Sequence, residues 1–342
     1  MKPLVRFWEE AYRVGQSLEA DSWVRRAVNK HVVAALMNVF PRTATRVFSR
    51  SRGELARLLF ANREGGSFRV LRAMYRFDEG HARGDLINRL LMQSPAVKAA
   101  RNRRRIAQKM LEVSLKAMPP GRPILVLAVG GGDGSLEAEA IARTPERDAY
   151  YCGVDRDERA VGENGDVLRR HGLEARGCTL VGGIAEESDV EAALDRAARR
   201  FHVSFDGVGI TVCQGITEYL DLDCDTNETL AAMLRAIHHC TRPEGRLIIS
   251  QTDYHDRVRY LEKGLSWYMR LRSREELAAE VNRAGWQTSV CEREPMGLIS
   301  MCLATKSDAR SQPRESETPI GRPHAATRAP GAVARRLRAR TR

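Results

Sequence analysis

The stretch VLAVGGGDGSLEAEA, Val126 to Ala140, decides the fold. It completes a continuous apolar run, PILVLAV from Pro123, of the length and character expected of a parallel strand buried on both faces. The run passes straight into glycines and then into a helix-forming segment. Gly130 and Gly132 let the backbone turn sharply and approach a ligand without Cβ interference. The helix that follows offers unpaired N–H groups and its positive end to polar ligand atoms.

Downstream of this stretch, strand-like and helix-like segments alternate. Strands are predicted near 149–154 (AYYCGV), 178–183 (CTLVGG), 205–211 (FDGVGIT), 246–250 (RLIIS), 287–292 (QTSVCE) and 299–305 (ISMCLAT). Helices are predicted near 135–144, 157–171, 187–200, 227–241 and 273–284. Such alternation means βαβ units and a mostly parallel sheet. The last two strands have no helix between them and read as a hairpin, so the final strand enters antiparallel. The fold class is therefore α/β, a seven-stranded mostly parallel sheet with an antiparallel last strand.

Upstream, residues 1–120 read as helical. FWEEAYRVGQSLEA, SWVRRAVNKHVVAALMNVF and SRGELARLLFAN repeat apolar residues at three-to-four spacing. A last helix is predicted from Pro95 to Met118, with RNRRR (Arg101 to Arg105) read as a solvated face rather than the alternative, an anion site, and Pro119-Pro120-Gly121 as its stop. From Ser307 the chain loses its apolar residues and has the composition of a disordered basic tail. The expected organisation is a helical cap or substrate domain over 1–120, a cofactor-binding domain over 121–306 and a tail over 307–342.

The glycine spacing narrows the ligand. Dinucleotide binders use GxGxxG, which needs glycine at 135, where Ser135 stands; the third glycine is Gly134. The resulting GxGxG, together with Asp155 at the end of the second strand, resembles class I S-adenosylmethionine-dependent methyltransferases on a Rossmann-like core. RPEGRLIIS resembles the L-x-P-G-G-x-L strand entry of that superfamily. TVCQGITEYL and WYMRLRSREELAAEVNRAGW resemble segments of a poorly characterised bacterial methyltransferase group. These motifs cover about residues 97–305.

The resemblance implies S-adenosylmethionine as cofactor, with Gly130, Gly132, Gly134, Asp155, Arg156, Ile184, Ala185 and Thr211 around it. Asp155 can accept hydrogen bonds from both ribose hydroxyls, or it is the N-cap of the following helix. Arg156 lies beside the adenine or in solvent. Two departures stand out. Ala128 occupies a position where many members carry an acid, and Gly183-Ile184 replaces an acidic adenine contact, with Glu186 or Glu187 as polar substitutes. The GGGDG string also resembles spermidine synthases, but FDGVGITVC lacks their paired aspartates.

Ligands of such sheets sit at the carboxyl ends of the strands. His255 and Tyr219 are the candidate catalytic residues, His255 on its intrinsic pKa. Gln214, Glu218, Tyr254, Trp267 and Arg270 are candidates for the acceptor pocket, and Asp253 lies in the same region.

Charge and composition restrict the partners. Net charge is +12, of which +7 lies between Lys306 and Arg342, so the folded part is only mildly basic. The tail could bind nucleic acid. No [DN]PP[YF] or Pro-Cys nucleophile follows the fourth strand, however, and aromatic residues are only 6%, leaving few stacking platforms. A small-molecule acceptor is the leading expectation. A nucleic-acid methyltransferase and a non-catalytic binding module are the alternatives, and a homodimer stays open. No apolar run reaches the roughly 18–20 residues of a membrane span, and the N-terminus lacks a secretory pattern, so a cytoplasmic location is expected. Seven cysteines without CxxC spacing read as free thiols in a reducing compartment, and no metal site is expected.

Overall fold

The structure, a computed structural model, describes residues 18–19, 39–62, 66–75, 86–222, 229–255 and 258–306. The helices expected at the N-terminus before residue 39 and the basic tail from Ser307 lie outside the described residues.

Among the described residues, five helical segments precede the sheet: α1 (Pro41–Phe48), α2 (Glu54–Ala56, continuing as a π turn over Arg57–Ala61), α3 (Phe68–Tyr75), α4 (Leu86–Met92) and α5 (Pro95–Ala117). The sheet region then runs β1 (Ile124–Val129), α6 (Ser135–Ala142), β2 (Ala149–Asp155), α7 (Glu158–Arg170), β3 (Gly177–Val181), α8 (Glu187–Phe201) and β4 (Val208–Cys213). It continues with α9 (Leu230–Cys240), β5 (Thr241–Thr252), α10 (Val258–Leu265), α11 (Arg274–Arg283), β6 (Trp286–Arg293) and β7 (Ile299–Lys306).

Local chemistry sets the helix starts. Pro95 opens α5, where its missing N–H costs nothing. Asp157 caps α7 through Arg159 N, and reciprocal capping boxes start α8 (Glu186/Asp189) and α11 (Ser273/Glu276).

The sheet order is β3-β2-β1-β4-β5-β7-β6. β1 to β5 are parallel, and β7 runs antiparallel to both β5 and β6, as the hairpin reading required. Alternate residues of β1 feed two cores. Ile124, Val126 and Ala128 join α5, α6 and α7, whereas Leu125, Leu127 and Val129 join α8, α9 and α11. A third core holds α2, α3 and α4 against Tyr260 and Leu265. The order reverses between β1 and β4, and their carboxyl ends form the crevice where such sheets bind ligands.

Three expectations are corrected. The fourth strand starts at Val208 and ends at Cys213, later than 205–211, because Phe205 packs edge-on against Tyr150 and the chain turns through Gly207 (φ 119°) before entering the sheet. The RNRRR segment is not a solvated face. Arg101, Asn102 and Arg103 are buried, because α5 is covered on one side by the sheet and on the other by α3, α4 and Glu19, which pairs with Arg101. The cysteines are not all free: Cys291 and Cys302 form a disulfide, since they face each other across β6 and β7 with Cα atoms 4.1 Å apart. Cys152, Cys178, Cys213 and Cys240 are free. The reducing-compartment reading thereby loses its cysteine support.

Candidate active site

The glycine loop is fastened to the second strand. Gly130 N and Gly131 N donate to Val154 O (2.8 and 3.3 Å), and Gly134 N donates to Gly131 O. Gly130, Gly132 and Gly134 all have positive φ. At Gly134 the left-handed backbone (φ 67°) disfavours any side chain, and a Cβ would lie 2.6 Å from Asn164 Nδ2 and have to displace that amide. Asn164 donates in turn to the Tyr151 hydroxyl at 2.7 Å, which binds the loop, β2 and α7 into one unit.

Asp155 stands at the lip of β2. Its Oδ2 accepts from Gly132 N (2.8 Å) and its Oδ1 from Asp157 N (2.9 Å), so the carboxylate holds the loop against the strand end. The N-cap role belongs to Asp157 instead, and each Asp155 oxygen keeps a lone pair for a further donor. Arg156 folds over Gly183, where a Cβ would meet its guanidinium at 2.9 Å. Ile184 is buried in the adjoining core, and Ala185 N is spent on Asp189 of the α8 capping box. Glu186 is that helix's N-cap and Glu187 faces His239. Thr211 lies in mid-β4, paired with Leu127 and Leu247 and fully buried, two residues short of the strand end.

Gln214 and Glu137 stand beside the loop. Gln214, immediately after β4, has both amide atoms buried without a hydrogen-bond partner. Glu137, in the first turn of α6, is buried, and burial raises its carboxyl from 4.5 to about 7; its own backbone N–H and Arg104 oppose the rise, while Asp133 and Glu139 add to it. Both line a small space against Gly130, Gly131 and Gly132, roofed by Phe68, Leu71, Arg72 and Tyr75 of α3. Glu137 was missed in the sequence; it brings the loop a carboxyl that Ala128 does not. The crowding bears on Gly131: a Cβ there would lie 3.0 Å from Ala128 Cβ and 3.1 Å from the Tyr151 hydroxyl.

A cavity of about 430 Å³ adjoins this loop across Leu71, which belongs to both walls. Its lining is mostly apolar, from Met74, Ala99, Ala100, Leu261, Met269 and Met296 among others. Five expected residues meet there: Glu218, Tyr219, Tyr254, His255 and Trp267. Trp267 Nε1 donates to the Tyr219 hydroxyl at 2.9 Å, and burial holds that phenol well above its usual range. Glu218 accepts from Thr252 N, Thr252 Oγ1 and Thr217 Oγ1. Tyr254 is largely exposed at the rim.

Other candidates fall elsewhere. Gln214 faces the glycine loop rather than the cavity. Arg270 has an exposed side chain outside the lining, and its backbone holds the site together: its N donates to Glu218 O and its O accepts from Gln251. Asp253 is a structural anchor, bonded to Arg293, Ser300 and Tyr254 N. Arg103 was missed. The signal was present, since it shares a helix face with Ala99, Ala100 and Ala107, all buried.

The loop, the acid at the β2 lip and the residues lining the adjoining cavity all lie within a stretch that matches one sequence family. Residues 6–306 match the family described as "Putative methyltransferase". The chain belongs to that family. Among curated proteins none matches it. A solved structure of a possible exported protein from Bordetella parapertussis is similar over 80% of this chain and 96% of its own, with TM-score 0.61 and 17% identity. The CurJ carbon methyltransferase covers 80% of this chain and 70% of its own at TM-score 0.49 and 14% identity. A 1,6-didemethyltoxoflavin-N1-methyltransferase from Burkholderia thailandensis covers 69% and 89% at TM-score 0.40 and 20% identity. At these identities the likeness concerns the fold. Among the described residues, no helix is long and apolar enough to cross a membrane.

Proposed function

We propose that this methyltransferase-family protein transfers the methyl group of S-adenosylmethionine to a small, largely apolar molecule held in the 430 Å³ cavity. The observation that carries this reading is the shared wall. The cavity meets the glycine-loop space at Leu71, at the carboxyl ends of β1 and β4.

The residues present fit the cofactor. The loop leaves room where a Cβ would intrude, and Gln214 offers two unpartnered amide atoms and Glu137 its buried carboxyl to an amino acid moiety. Asp155 would receive the ribose hydroxyls, and Arg156 would lie along the adenine. The bound cofactor supplies a methyl group on a sulfonium, whose departure needs little chemical help. The protein's own part is alignment and exclusion of water. α3 covers the loop and α5 walls the cavity, so the helical N-terminal segment serves as the cap. His255, in the cavity lining, would take a proton from the acceptor. Tyr219 stays protonated and acts as a donor rather than a base.

The test is incubation of the full chain with methyl-labelled S-adenosylmethionine and fractionated cell extract. Label should appear in low-molecular-mass material. Label confined to RNA would overturn the small-molecule reading, and cofactor binding with no transfer to any fraction would favour a non-catalytic module.

A further inference from the structure

The polar end of the acceptor cavity is rich in donors and poor in free acceptors. Arg103 enters it from α5, with the side chain 5% exposed. Its Nη2 donates to the Tyr75 hydroxyl at 3.1 Å, its Nε is buried without a partner, and its nearest carboxylate oxygen, Glu218 Oε1, lies 3.9 Å from Nη1. That distance gives Coulombic attraction but no hydrogen bond. Glu218 is meanwhile served by three donors from Thr252 and Thr217. A guanidinium has five N–H groups, and leaving them unmet in a buried site is costly. The Tyr219 hydroxyl accepts from Trp267 and keeps its own proton to give.

The surrounding backbone is shaped for this guanidinium. Gly215 has φ +73°, and a Cβ there would lie 2.9 Å from Arg103 Nη1. The sequence phrase GITEYL thus supplies Gly215 to make room for Arg103, Glu218 to balance its charge, and Tyr219 as a second donor.

We infer that Arg103 and Tyr219 bind an anionic oxygen of the acceptor, a carboxylate or an enolate carried on an otherwise apolar molecule. This rests on the reading of the cavity as the acceptor site. Arg103 is then a specificity residue. Its guanidinium meets a charge that the apolar walls would otherwise exclude, and the charge-assisted bonds it forms are about twice as strong as neutral ones.

The experiment is calorimetry of the full chain at pH 7.5 with three probes: 2-naphthoate, the enolate of a 2-acyl-1,3-cyclohexanedione, and neutral 2-naphthamide. The wild type should bind at least one anion about tenfold or more tightly than the amide, a factor corresponding to about 1.4 kcal/mol. The preferred anion identifies the source of the oxygen. The charge-balanced double variant Arg103→Met/Glu218→Gln should bind the amide as before and lose the preference, and Arg103→Lys should keep part of it. Equal affinities in the wild type, binding of no probe, or a preference that survives in the double variant would each overturn the inference. S-adenosylmethionine binding, measured on the same samples, should be unchanged by these substitutions. Its absence in the wild type would sink the methyltransferase reading separately.

Discussion

Replacing Glu137 by glutamine should make the protein's stability less sensitive to pH, by a predictable amount. The carboxyl is buried in the first turn of α6, and burial raises it from 4.5 to about 7. A carboxyl raised on folding contributes its full stability below its unfolded value. The contribution declines as pH rises, until the folded group ionises too. At about 1.4 kcal/mol per pH unit, the interval from 4.5 to about 7 corresponds to a loss of roughly 3 kcal/mol. Glutamine keeps the shape and removes the titration. Asp133, Glu139, Arg104, Tyr151 and Cys213 all face Glu137 and interact with it electrostatically. Subtracting the variant's profile from the wild type's leaves the Glu137 contribution together with its coupling to these groups. The assay is urea unfolding of both proteins from pH 4.5 to 8. The wild type should lose roughly 3 kcal/mol relative to Glu137→Gln across this range, with little further change above pH 7.5. A difference that stays constant to within about 0.5 kcal/mol would refute the assignment of a neutral carboxyl beside the glycine loop.

Two further outcomes are expected. Gly215→Ala should cost about 1–2 kcal/mol in denaturant unfolding, from the left-handed backbone alone, and more where the new Cβ displaces Arg103; a loss under about 0.5 kcal/mol would show that the loop can rearrange freely. Alkylation of the denatured, unreduced chain followed by peptide mass analysis should leave Cys291 and Cys302 unmodified and linked, whereas modification of both would remove the disulfide.

The sheet was legible because its strands announce themselves by length and apolar content, and because three glycines at GxGxG spacing admit few backbone paths. The antiparallel ending followed from the short connection between the sixth and seventh strands. The positions of Asp155, Glu218, Tyr219, Tyr254 and His255 were legible for the same reason: they stand at or just beyond strand ends, whereas Trp267 follows α10. Thr211 was misplaced in character because a two-residue shift in β4 moves a residue from the crevice into the sheet. Arg103 and Glu137 escaped because charged residues on helices ordinarily face water. Only tertiary packing, with α3 laid over both the loop and α5, turns them inward. The cysteine pair escaped because cross-strand register cannot be read from spacing eleven residues apart.

The central claim is that the loop and the acid at the β2 lip bind S-adenosylmethionine. Isothermal calorimetry of the full chain with this compound tests it directly, using Asp155→Asn and Asp155→Ala beside the wild type. The account predicts one-site binding by the wild type. Asp155→Asn, which keeps the side chain's shape, should weaken it about tenfold, and Asp155→Ala, which also frees Gly132 N–H, should weaken it further. No binding by the wild type, or equal affinity in all three proteins, would contradict it.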